Sequence, residues 1–191
     1  MIHETAIVAE DARLGAKSDI APYSVIGLSG GPDLHPIVVG AGCVFRSHCV
    51  VYRGTRFGVA VALGHGVLIR ENCTIGDRVS IGSHSVVEHT VRMGSDVRLH
   101  SHCFVPEESV LEDAAWLGPG VIVTNAKYPN RPDTKENLEG VHIGENATIG
   151  AGVILMPGIR VGESALIGAG AVVLENVESG QRVVGNPGRT L

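Results

Sequence analysis

The chain has 191 residues, of which 44% are hydrophobic, 4% aromatic and 18% charged, with 26 glycines and a net charge of −5. That apolar content with so modest a charge argues against disorder, and three Phe, three Tyr and one Trp are too few for a core built on aromatic bulk. No basic block marks a nucleic-acid surface, no apolar run reaches the ~18 residues of a membrane span, and the N-terminal MIHETAIVAED lacks a signal-peptide core; a cytoplasmic protein without nucleic-acid or membrane partners is expected.

Apolar residues recur every six positions. The count starts at Ile2 and passes Val8, Leu14, Ile20 and Ile26. It resumes at Val39 and runs unbroken to Val123, then resumes again at Ile143 and ends at Val173. All 26 first positions are apolar, which at this composition chance produces roughly once in a billion trials. The fifth position of each hexad is small, as at Ala12, Ser24, Cys49, Cys73 and Ala115, and the second is often Gly. Fifth and next-first positions are two apart, so they share one side of a strand, and glycine is expected to lend backbone freedom near the turn. Each hexad therefore reads as a short strand and a corner. Three hexads make an 18-residue coil, and the chain makes about nine coils stacked into a prism about 40 Å long. One all-β repeat domain over residues 1–191 is expected, with loops at about 28–38 and 126–140. Cys43, Cys49, Cys73 and Cys103 all fall at fifth positions, where a small buried thiol is at home, and no CxxC pair suggests zinc.

Residues 18 apart should stack. One edge of the prism then carries Arg53, Glu71, His89, Glu107 and Asn125. A second carries His48, Gly66, His84 and His102, with His65 beside them, and a third carries Asp77, Arg78, Ser95, Asp96 and Asp113 as a solvated corner. The long interruption AKYPNRPDTKENLEG leaves directly after Asn125. A loop of that length in a compact repeat is usually functional, so the first edge reads as a pocket wall; its bland alternative is a ladder of alternating charges. The Gly-Gly-Pro of the shorter interruption reads as turn chemistry.

On this period the chain resembles the hexapeptide-repeat proteins with a left-handed parallel β-helix; the handedness comes from that resemblance. The stretch LEDAAWLGPGVIVTNAKYPNRP and the tail VGNPGRTL look like the nucleotide-sugar amine N-acyltransferases. The resemblance implies transfer of an acyl group, acetyl or larger, from acyl-CoA to the amine of a UDP- or dTDP-linked amino deoxysugar, without a metal, in a homotrimer whose sites lie between subunits. It places the amine-holding pair on Glu107 and Asn125, with His89 next on that edge as general base or relay. It places the CoA arm against Gly150, Ala151, Gly168 and Ala169, and a CoA phosphate near Arg189. The family's Ala after GNP is Gly188 here. Galactoside-type O-acetyltransferases carry a His shortly after the loop Thr; here Thr124 is followed by Asn125, Ala126, Lys127, Tyr128 and Pro129, which disfavours hydroxyl acylation.

Some roles stay open at this stage. Arg46, Arg53 and Arg70 either meet a diphosphate or pair with Glu71 and Glu88, and Tyr128 either stacks on a base or caps its loop. Two other classes compete. The γ-class carbonic anhydrases share the fold and use His ligands to activate water, and His48, His84 and His89 have suggestive spacings. Their close-pair pattern falls here on Gly64, His65 and Arg70, so a cation stands where a ligand should be. A non-catalytic scaffold is the other alternative, since stacked repeats make binding surfaces.

Overall fold

A computed structural model describes residues 1–31 and 34–191. Pro32 and Asp33, within the first expected loop, lie outside the described residues. The chain winds as a parallel β-solenoid with three sheets. The first has nine strands, from Ile7–Val8 to Val172–Val173, and the second has eight, from Arg13–Leu14 to Arg160–Val161. The third runs from Asp19–Ile20 to Arg182–Val184 and reaches ten by adding Arg189–Thr190, which pairs antiparallel. The repeat does not foretell that last strand, because the period ends at Val173.

Register follows the period. Val51 pairs with Ile69, Ile69 with Val87, and Val87 with Val105, each a step of 18. The step widens where Leu14 meets Val39 and where Leu111 meets Ile143, so each interruption is looped out; the first leaves a register irregularity between Ile26 and Leu28 where that strand meets Val50–Tyr52. First positions such as Ile69, Ile75, Ile81 and Leu117 are fully buried. Stacking them removes apolar area from water at about 25 cal/mol per Å².

The glycines have a different reason from the expected one. Second-position glycines mostly keep ordinary φ; positive φ falls two residues later, as at Asn72, His84, Thr90 and His102. A Cβ on Gly82 would lie 2.3 Å from the amide nitrogen of Ser101, and one on Gly40 would lie 2.2 Å from the carbonyl oxygen of Gly58. These glycines are required because the next coil passes directly over them.

Small polar residues at fifth positions satisfy the corner carbonyls. Thr55 Oγ1 donates to Arg70 O at 2.8 Å, Ser85 Oγ to His100 O at 3.1 Å, Cys49 Sγ to Gly64 O at 3.1 Å and Cys73 Sγ to Glu88 O at 3.0 Å. Each acceptor is fifteen residues further on. Ser109 breaks the pattern, its buried Oγ lacking a partner; fifteen residues on is Thr124, where the second loop leaves the solenoid. All four cysteines are free and buried. Burial pushes the Cys49 thiol up to about 11 and the Cys73 thiol up to about 12, so both stay protonated and neither serves as a nucleophile. Among the described residues, no helix is long and apolar enough to cross a membrane.

Candidate functional site

Both loops spring from the same edge, the one between the first and second sheets. The first loop is tied to that edge by Arg53 N donating to Leu28 O at 2.9 Å and Gly54 N to His35 O at 2.8 Å. It also passes close to Tyr52 and Glu71, since a Cβ on Gly30 would lie 3.0 Å from the Tyr52 ring and 3.3 Å from the Glu71 carboxyl carbon. The second loop closes on itself at the edge, with Glu139 N donating to Asn125 O at 2.8 Å. Between them lie the corners of Arg53, Glu71, His89 and Glu107, a run of about 14 Å at one strand spacing per coil.

The side chains along this run are paired. Arg53 Nη1 bonds Asp11 Oδ1 at 2.9 Å. Arg70 grips Glu71 with two donors, Nε to Oε2 at 3.0 Å and Nη2 to Oε1 at 2.8 Å, and its guanidinium carbon lies 5.7 Å from the centre of the Tyr52 ring. Burial pushes the Glu71 carboxyl up, but the Arg70 fork and its charge outweigh it and hold Glu71 below the usual range. Arg70, expected to bind substrate, thus spends two donors on Glu71. Next along, His89 Nε2 and Glu107 Oε2 are in contact. Their side chains keep 33% and 20% of their surface, so the couple is open to a ligand but partly shielded. Asn125 is half-buried one coil further. The three residues expected to do chemistry therefore form one column, and two of them touch. When Nε2 carries the proton toward Glu107, a neutral ring presents its lone pair on Nδ1.

The expected CoA contacts lie elsewhere, on the edge between the third and first sheets. Ala151 and Ala169 are exposed corner residues, and Gly170 N donates to Ala151 O at 2.8 Å. Gly150 faces the next coil, where a Cβ would lie 2.5 Å from Ala169 N, and Gly168 abuts Val184. This edge continues through the histidines, with His84 and His102 stacked 5.4 Å apart and His65 Nδ1 2.8 Å from Ser47 Oγ. His89 sits on the other edge, so the spacing of His48, His84 and His89 gathers no cluster. Among the described residues, no group of three or more His, Cys, Asp or Glu is arranged to hold a metal. Arg189 lines a shallow groove with Leu174, Glu175 and Asn176 near the tail, and its Nη1 donates to Gly188 O at 2.8 Å.

The two edges flank the first sheet, whose outer face is apolar throughout. Its outward residues are Ile7, Val25, Val50, Leu68, Val86, Phe104, Ile122, Ile154 and Val172, with Ile7 66% and Ile122 44% exposed. The other two faces mix Arg, Thr, Asp, Ser and His among their apolar residues. A contiguous apolar face of this extent marks an interaction surface.

The second loop holds a pocket of about 210 Å³, lined by Lys127, Tyr128, Arg131, Asp133, Thr134, Asn137 and Glu139. Tyr128 is 51% exposed, and the Arg131 guanidinium covers one ring face at 4.0 Å. Thr134 Oγ1 donates to Tyr128 O or to Arg131 O, each at 2.7 Å, which braces the loop.

Known proteins reproduce this architecture. Residues 140–175 match the family described as "Bacterial transferase hexapeptide (six repeats)". A UDP-N-acetylglucosamine acyltransferase from Campylobacter jejuni aligns with a TM-score of 0.84 and 15% identity, over 100% of this chain and 74% of that one. An Arabidopsis UDP-N-acetylglucosamine acyltransferase aligns with a TM-score of 0.67 and 19% identity, over 100% and 73%. The acetyltransferase domain of PglB from Neisseria gonorrhoeae, in complex with acetyl coenzyme A, aligns with a TM-score of 0.51 and 18% identity, over 78% and 57%. No curated protein matches by sequence. By its repeat and by its fold, the chain is a hexapeptide-repeat β-solenoid, built like these acyltransferases.

Proposed function

We propose that the protein is an acyl-CoA-dependent N-acyltransferase acting on the amine of a nucleotide-linked amino sugar, working as a cytoplasmic homotrimer of single-domain chains. The observation that carries the reading is the His89–Glu107 couple with Asn125 one coil beyond, on the edge bracketed by both loops. The fold neighbours support the class: two are acyltransferases named for UDP-N-acetylglucosamine and one is an acetyltransferase domain in complex with acetyl coenzyme A.

The trimer rests on the apolar first face. The expected catalytic edge and the expected CoA edge border that face on opposite sides, roughly 16 Å apart across a five-residue strand and corner. Within one chain they cannot serve one reaction. Packing first faces around a threefold axis buries the apolar surface and sets the catalytic edge of one copy beside the CoA edge of the next.

In this arrangement Asn125 and the free oxygen of Glu107 hold the sugar amine. Its nitrogen attacks the thioester carbonyl carbon and forms the C–N bond. The tetrahedral intermediate collapses with cleavage of the C–S bond. The amine proton passes to His89 and on to the departing thiolate, leaving amide and free CoA. Positioning supplies most of the acceleration, because an amine with a pKa of about 8 is already partly neutral at pH 7.

The test is thiol release from acetyl-CoA across a panel of UDP-, dTDP- and GDP-linked amino sugars. Release dependent on one of these amines, with the acetylated sugar seen by mass spectrometry, is the expected result. Release with none of them, by protein that binds acetyl-CoA, would remove the acceptor assignment.

A further inference from the structure

The second loop brings together three kinds of chemistry that a nucleotide requires. Tyr128 is half-exposed, with the Arg131 guanidinium 4.0 Å and the Lys127 ammonium 5.9 Å from its ring centre. Lys127 and Arg131 supply cations on the same wall, and among the described residues neither is in an ion pair. Asp133 and Glu139 supply acceptors suited to ribose hydroxyls. The other arginines on this edge are engaged: Arg53 is held by Asp11, and Arg70 is forked onto Glu71. The cations left for a phosphate on this edge are those of the loop.

The pocket is also continuous with the column. Glu139 lines it, and Glu139 N bonds the carbonyl of Asn125. Its volume of about 210 Å³ is below the roughly 300–1,000 Å³ of a site that encloses a whole ligand. It fits one end of an elongated ligand whose other end lies on the edge.

We infer that this loop pocket is the nucleoside diphosphate subsite, with Tyr128 stacking the base and Lys127 and Arg131 clamping the diphosphate. The inference rests on the acyltransferase reading and deepens it. Arg131 is pre-set by its stacking on Tyr128, which keeps the planar fork free for two phosphate oxygens. The sugar then extends past Asn125 toward Glu107 and His89, which places its amine beyond the diphosphate.

The test is calorimetry with UDP, dTDP, GDP and, separately, CoA on wild type and on the Lys127→Ala/Arg131→Ala double variant. Both changes are exposed, so the solenoid should persist, which circular dichroism checks. The expected result is that wild type binds at least one of the three diphosphates, that the double variant binds it at least tenfold more weakly, and that CoA affinity is unchanged. Tyr128→Ala should weaken the diphosphate and its parent nucleoside alike, whereas the double variant should spare the nucleoside. Diphosphate affinity within twofold of wild type in the double variant would overturn the inference. So would loss of CoA affinity instead, since the pocket would then belong to CoA, and so would wild type that binds none of the three. Failure of wild type to bind CoA would count against the acyltransferase reading itself, and is read independently of the diphosphate result.

Discussion

Replacing His89 by alanine is expected to lower kcat by at least a hundredfold with little change in KM. A positioned imidazole contributes about 10²–10⁴ to a proton-transfer step, and the contact between His89 Nε2 and Glu107 orients this one. His89 is partly exposed at a corner, between turns held by backbone bonds such as Thr90 N to Glu71 O at 3.0 Å, so its truncation should leave the solenoid intact. Glu107→Ala should cut turnover more than tenfold, through the lost amine contact and the loosened ring. Glu107→Gln, which keeps an acceptor for both, should recover part of it. Stopped-time assays at saturating substrate, with mass measured by light scattering, separate this from unfolding. Wild-type kcat in His89→Ala would remove the general-base role and leave the proton to the thiolate.

Phe104→Arg is expected to abolish activity by a different route. Phe104 stands outward on the first sheet, and its column neighbours Val86 and Ile122 are apolar too. In a trimer packed through this face the arginine is buried three times over, without a partner, at a cost of several kcal/mol each. The variant should run as a 19.9 kDa chain where wild type runs at about 60 kDa, with the circular dichroism of wild type and turnover at least a hundredfold lower. Trp116→Arg, the same change on the third sheet, should remain trimeric. An intact trimer in Phe104→Arg would move the interface to another face and separate the two candidate edges for good.

The period of six made the architecture legible, because every coil repeats the same burial and a single pattern recurs along the chain. The two interruptions were legible as loops, and their shared edge was within reach: Ile26 and Val123, which precede them, stand in the same one of the three hexads of a coil. The apolar face was missed because it appears only when outward residues are sorted by sheet; in chain order Leu68, Thr74 and Ser80 look like an ordinary mixture. The column of His89, Glu107 and Asn125 followed from stacking by 18. Which neighbours pair did not, since Arg53 reaches Asp11 across 42 residues and Arg70 turns to its own neighbour Glu71. The glycines were read as turn residues when their constraint is the coil above, a contact that no local pattern displays. The tail strand Arg189–Thr190 lies past the repeat and obeys none of its spacing.

CoA binding is the most direct test of the acyltransferase class, because it needs no knowledge of the amine. Calorimetric titration of acetyl-CoA into wild type and into Phe104→Arg is the measurement to make. Micromolar binding at one CoA per chain is expected in wild type, with a large loss in the dissociated variant if the groove is completed by a neighbour's edge. Wild type that binds no CoA would contradict the acyltransferase class, and equal binding by the single chain would contradict a site shared between copies.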